Sequence, residues 1–218
     1  IGTDGLGLIS YFDSSNNDLK VAHCSNTACS SASTYTLDST GDVGSYTSIA
    51  IGADGFGLIS YYDDTNDDLK VAHCSNAACS SASTYILDST GDVGLYTSIA
   101  IGTDGLGLIS YRDGTSGDLN VAHCSNAVCI SASTSTLDST GMFGLYNSIA
   151  IGTDGLGLIS YYDYTDYNLK VAHCDNTKCS SATTYTLDSI GIVGIYTSIA
   201  IGTDGLGLIS YFDSSNND

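Results

Sequence analysis

Apolar residues in this chain come in short runs separated by polar clusters, with no stretch that repeats at the spacing of a helix face. Between Tyr46 and Ser89 the runs read "YTSIAIG" (residues 46–52), "FGLISYYD" (56–63), "LKVAHC" (69–74) and "STYILDS" (83–89). Each is rich in β-branched and aromatic residues and bounded by Gly, Asn, Asp or Ser, which predicts four strands. The first two are joined through Asp54-Gly55, a strong hairpin signal because Gly accepts the positive φ of a tight turn. In the third strand Leu69, Val71 and His73 share one face and Lys70, Ala72 and Cys74 the other. Small or apolar groups on both faces suit a sheet sandwiched between neighbours.

The pattern recurs every fifty residues without insertion or deletion. Cys24, Cys74, Cys124 and Cys174 keep that spacing, and so do Cys29, Cys79, Cys129 and Cys179. The chain is therefore a repeat protein whose units bury apolar faces against one another. It reads as one array over residues 1–218, with units 1–50, 51–100, 101–150 and 151–200 and a partial unit 201–218. Four strands per unit match a propeller blade in size. The expected fold is all-β, with tandem four-stranded antiparallel blade-like repeats, either propeller-like or stacked into a superhelical fibre. The first eighteen residues return verbatim at 201–218, whereas the equivalent stretches from Ile51, Ile101 and Ile151 differ from them. That return favours an assembly that propagates.

Composition narrows the partners. All 24 acidic residues are Asp, a turn former, and neither Glu nor Gln occurs. The net charge of −19 repels phosphate backbones and anionic membrane surfaces, so nucleic acid is not an expected partner. Runs such as "SIAIG" are too short for membrane insertion. No charged-then-apolar leader begins at Ile1, so an export signal is expected to have been removed or to lie outside these residues.

Each unit carries a Cys pair across a four-residue loop, as in "CSNTAC". The eight cysteines Cys24, Cys29, Cys74, Cys79, Cys124, Cys129, Cys174 and Cys179 are expected to form four local disulfides in an oxidising, extracellular setting. Zinc held by the same cysteines with His23, His73, His123 and His173 is the rival reading. It is disfavoured because a His and the Cys after it point to opposite strand faces. The histidines are then hydrogen-bonded strand residues. In "DDTNDD", Asp63, Thr65 and Asp67 offer oxygens at alternate positions, as in a calcium loop, but the Gly at position six and the distal Glu are missing. Calcium is the one candidate cofactor there, against an ordinary Asx-turn. Met142, Phe143, Ile190, Ile192 and Ile195 place apolar groups where the first unit is largely polar. They are read either as core packing or as a contact for another subunit.

Catalysis needs one converging constellation, yet nearly every His, Ser and Asp recurs at equivalent positions along the array, and Arg112 is the only arginine. The expectation is a protein without enzymatic activity. The phrases "DGLGLISYFD", "DLKVAHCSNTAC" and "LDSTGDVGSYTSIAIG" resemble the roughly fifty-residue tandem repeats of large secreted bacterial proteins, commonly read as β-propeller blades. The resemblance covers the whole chain. It departs at Gly7, Gly57, Gly107, Gly157 and Gly207, where that family often has Pro, a change expected to loosen the second strand. The first functional expectation is a structural protein, an extracellular filament built by self-association of disulfide-stapled units. The alternative is a secreted carbohydrate-binding propeller using a Tyr-rich rim of Tyr11, Tyr61, Tyr62, Tyr161, Tyr162, Tyr164 and Tyr167.

Overall fold

A computed structural model describes residues 1–216. Among these residues every regular element is a strand. The first sheet has three strands, β1 (Leu8–Asp13), β2 (Asp18–Cys24) and β3 (Ala32–Asp38). Three four-stranded sheets follow. They are β4 (Val43–Ile51) to β7, with β5 (Gly57–Asp63), β6 (Asp68–Cys74) and β7 (Ala82–Asp88); β8 (Val93–Ile101), β9 (Gly107–Asp113), β10 (Leu119–Cys124) and β11 (Ala132–Asp138); and β12 (Leu145–Ile151), β13 (Gly157–Asp163), β14 (Asn168–Cys174) and β15 (Ala182–Asp188). Strands β16 (Val193–Ile201) and β17 (Gly207–Asp213) pair as the last sheet. All pairings are antiparallel between chain neighbours, so each unit is a meander.

The core lies between sheets. Leu58, Leu69 and Val71 of the second sheet pack with Val93, Ile99, Ile109, Tyr111 and Ala122 of the third. Adjacent residues of one strand are therefore both buried, as with Leu58 and Ile59, each 0 % exposed. The last sheet shows the converse, since Leu208, equivalent to Leu58, is 73 % exposed.

The innermost strand of each unit starts earlier than its apolar run suggests. In β4, Val43 pairs with Asp63, Ser45 with Tyr62 and Ser48 with Ser60, so the ladder slips twice within six residues. Each slip is a bulge, which bends the strand and strengthens its twist. Gly44 sits in the first at φ 106°, where an added Cβ would lie 2.7 Å from the Leu19 backbone. Tyr46 sits in the second at φ 54°, in the left-handed region that few non-glycine residues adopt.

Four disulfides close the loops, Cys24–Cys29, Cys74–Cys79, Cys124–Cys129 and Cys174–Cys179, with Cα atoms 4.8–4.9 Å apart. They place the chain in an oxidising environment. At Gly57 an added Cβ would lie 2.8 Å from Cys74 Sγ and 3.0 Å from Leu8 Cδ2, so the bridge and the preceding sheet meet over this position. The expected loosening of the second strand is thus corrected, because β5 is buried along its whole length. Replacing Cys74 and Cys79 together by Ser should lower stability by about 2 kcal/mol, the loop-entropy value for so small a ring. Denaturant unfolding at neutral pH measures it.

At two further places the structure favours one of the readings that the sequence leaves open. Phe143 is a core residue, 3 % exposed, packed edge-on to Tyr161 with the Lys170 ammonium over its ring. Of its proposed contact companions, Met142, Ile190 and Ile192 are exposed and Ile195 is half-buried, so the five do not act as one surface. The calcium loop closes on itself instead. Asp63 Oδ1 accepts the Thr65 and Asn66 amides, Thr65 Oγ1 accepts the Asp42 amide, and Asp67 Oδ1 accepts the Tyr62 hydroxyl. Those oxygens are committed to the turn, and no cluster of three metal-ligating His, Cys or Asp side chains occurs among the described residues.

A tyrosine ladder as the candidate functional site

A bulge just before Ser48, Ser98, Ser148 and Ser198 turns one tyrosine out of each innermost strand at the same repeat position. Tyr46, Tyr96, Tyr146 and Tyr196 all lie at φ 52–54°. Their rings stack from unit to unit, with centroids 4.6, 4.9 and 4.5 Å apart and tilts of 41°, 65° and 56°. Such tilted pairs favour aromatic packing over a flat sandwich. Strained backbone repeated four times, holding four aromatic rings in a row, is the kind of outlier that marks a working surface.

The ladder lines an open groove of about 270 Å³ with Thr47, Thr97, Asn147 and Thr197 beside the rings. Its floor is rigid. Thr97 donates to Ser60 Oγ at 2.7 Å, Thr197 to Ser160 Oγ at 2.9 Å, and Asn147 Nδ2 to the Gly144 carbonyl at 2.9 Å. Serines Ser48, Ser98 and Ser148 accept the backbone amides of Ile99, Ile149 and Ile199 from the next unit, so neighbouring innermost strands are tied side by side. Burial, then the flanking Tyr96 and Tyr196, pushes the Tyr146 phenol up to about 12. That hydroxyl remains a protonated donor at neutral pH.

An aromatic spur runs outward in the fourth unit. Tyr146 meets Tyr162 at 6.5 Å, Tyr162 meets Tyr164 at 6.2 Å, and Tyr164 meets Tyr167 at 5.8 Å. Tyr164 and Tyr167 are 47 % and 43 % exposed. This is where part of the expected tyrosine rim lies. The rest is corrected: Tyr61 and Tyr161 are fully buried, donating to Asp38 and Asp138 at 2.7 Å, and Tyr62 is buried with its hydroxyl shared by Asp67 and Asp92. Sequence reasoning passed over the ladder because "YTSIAIG" looks like uninterrupted strand. The available signal was the Gly two residues before each of these tyrosines, which marks the bulge.

The other titratable clusters are structural. His23, His73, His123 and His173 each bond through Nε2, at 2.7–2.8 Å, to Asp4, Asp54, Asp104 and Asp154 of their own hairpin turns. The Leu6 amide and then His23 hold the Asp4 carboxyl below its ordinary value. A larger cavity, about 440 Å³, lies between the third and fourth units and is lined by Leu106, His123, Cys124, Ser125, Ser131, Ala132, Ser133 and Lys178. Its lining contains no Tyr or Phe ring.

Repeated antiparallel four-stranded sheets packed face to face, innermost strand beside innermost strand, decide the architecture. The fold is that of a β-propeller. No family model and no curated protein matches the sequence. Solved structures do match, over nearly the whole chain. An α-L-arabinofuranosidase from Lactobacillus brevis is similar at TM-score 0.59 and 12% identity, covering 96% of this chain and 80% of that one. The intramolecular trans-sialidase from Ruminococcus gnavus is similar at TM-score 0.63 and 14% identity, over 92% of this chain and 51% of that one. An exo-β-1,3-galactanase from Clostridium thermocellum is similar at TM-score 0.59 and 12% identity, over 97% of this chain and 54% of that one. The chain thus spans about half the length of the latter two propellers. These neighbours correct two expectations. The propeller architecture is shared with enzymes acting on carbohydrates, which overturns the structural-filament reading and, with it, the expectation that the chain is no enzyme.

Proposed function

We propose that this chain is a carbohydrate-active β-propeller, secreted as one continuous blade array, that engages a glycan along the tyrosine ladder. The observation that carries the reading is the row of four rings from Tyr46 to Tyr196, open to solvent along a groove edged with hydroxyl and amide side chains. Sugars present apolar C–H faces and a rim of hydroxyls. Aromatic rings stack on the first, and the tyrosine hydroxyls of the ladder bond the second. The names of the structural neighbours support a glycan ligand, and the four disulfides support an extracellular location of the kind suggested by the resemblance to secreted bacterial repeats.

A glycan array carrying arabinan, β-1,3-galactan and sialylated oligosaccharides tests this reading. Saturable binding to at least one class is expected. The same glycans incubated with the protein and assayed for new reducing ends then separate hydrolysis from binding. An array blank at micromolar concentrations of folded protein would remove the proposal.

A further inference from the structure

The four lysines of this chain include three at one repeat position, Lys20, Lys70 and Lys170, and the third unit has Asn120 there instead. In the second unit the Lys70 ammonium lies 2.6 Å from Asp38 Oδ2 and 3.3 Å from Asp63 Oδ2, and Tyr61 donates to the same Asp38 oxygen at 2.7 Å. The fourth unit repeats the contact, with Lys170 at 2.6 Å and Tyr161 at 2.7 Å from Asp138 Oδ2. The ammonium balances two carboxylates that face each other between sheets.

The third unit keeps the anions and the phenol. Tyr111 donates to Asp88 Oδ2 at 2.7 Å, and Asp113 uses its Oδ1 for the Thr115 and Ser116 amides at 2.8 and 3.0 Å. Asn120, opposite Tyr111 in the ladder, is 8 % exposed, and its Oδ1 is buried without a hydrogen-bond partner. Arg112 does not replace the lysine. It follows Tyr111 on β9 and so takes the other face of the strand. The substitution exchanges a cation for a shorter neutral amide opposite Tyr111, which leaves the Asp88 and Asp113 carboxylates without the positive charge that the second unit places between their counterparts.

We infer that the third unit binds a hard cation at this place, held by Asp88, Asp113 and Asn120 with Tyr111 alongside. Oxygen donors from carboxylate and amide groups are the ligand set of calcium and of the alkali cations, with soft-metal ligands absent from the group. The inference is separate from the glycan reading and stands at a different position, between sheets and away from the ladder groove.

The test compares the wild-type protein with Asn120→Lys, which restores the ammonium, and with Asn120→Leu, which keeps the volume and removes the oxygen. After chelation in low-salt buffer, Asn120→Lys should melt several degrees above the wild type. Calcium chloride and potassium chloride, titrated separately at matched ionic strength, show which ion serves. The effective ion should raise the wild-type melting temperature by about 2–4 °C or more at saturation and move neither variant comparably. Calorimetric titration of the wild type with that ion should show one saturable event missing from both variants. Equal responses of wild type and Asn120→Lys to both salts, or no response in the wild type, would overturn the inference. Because the wild type supplies a direct binding measurement, a variant that misfolds does not spare it.

Discussion

Replacing Lys70 by Met should destabilise the protein by about 3–5 kcal/mol, the range for removing one partner of a buried ion pair. The side chains of Lys70, Asp38 and Asp63 are only 10%, 5% and 2% exposed, so the two carboxylates would face each other across a desolvated gap. Loss of packing does not explain the effect, since Met matches the lysine stem. The pH dependence identifies the cause. In the native protein burial raises the Asp38 carboxyl, but the Lys70 and Tyr61 bonds and the Thr40 amide outweigh it and hold the group below 3.8. The stability from this pair is therefore present above pH 3.8 and disappears as pH falls through the depressed native value. In Lys70→Met the ammonium is gone, burial pushes the same carboxyl upward, and protonation relieves the strain. The gap between variant and wild type, measured by urea unfolding, should narrow steadily from pH 7 to pH 4. A gap that is small, or independent of pH, contradicts this account of the interface.

The second large effect falls on the ladder. Truncating Tyr96 and Tyr146 together to Ala should weaken glycan binding by about 30- to 150-fold, on the basis of roughly 1–1.5 kcal/mol for each anchoring aromatic ring. These two are the inner members, each flanked by rings on both sides. Their removal interrupts the row, where loss of Tyr196 would only shorten it. Tyr96→Phe and Tyr146→Phe keep the stack and remove the hydroxyls. A loss restricted to the Ala variants assigns the energy to stacking, and an equal loss in the Phe variants assigns it to hydrogen bonding. Denaturant melts of all four proteins separate affinity from folding, because the tyrosines sit in a left-handed conformation that Ala does not favour either.

Much of the architecture could be read from the residue order. The strict fifty-residue spacing, the Asp-Gly hairpins and the period-two runs led to four antiparallel strands per unit, with ends within a few residues of those observed. The cysteine pairs were legible for a local reason, since both members lie on one short loop. What escaped was geometry that depends on register. Whether Tyr46 faces solvent is decided by the bulge between Ser45 and Ser48, which changes which side of the sheet its side chain takes. The tyrosines nominated for a rim were chosen by clustering along the chain, and burial between sheets removed Tyr61, Tyr62, Tyr161 and Tyr162 from the surface. Lys70 was assigned a face but no partner, because Asp38 belongs to the preceding unit and lies 32 residues away. The clue was in plain view: three of five cations occupy one repeat position in a chain of acids. The return of residues 1–18 at 201–218 suggested propagation. Repetition alone, though, does not distinguish a fibre from a propeller, and the solved neighbours share the propeller architecture.

The chain contains no tryptophan, so its intrinsic fluorescence comes from its 16 tyrosines, the four of the ladder among them, and needs no label. Titrating a glycan selected by the array while following that emission is the most direct test of the ladder as a sugar site. The expected result is a saturable change in the wild type that is absent from the Tyr96→Ala, Tyr146→Ala double variant while both remain folded. Saturable binding of equal affinity in that variant would place the glycan elsewhere on the propeller and contradict the central claim.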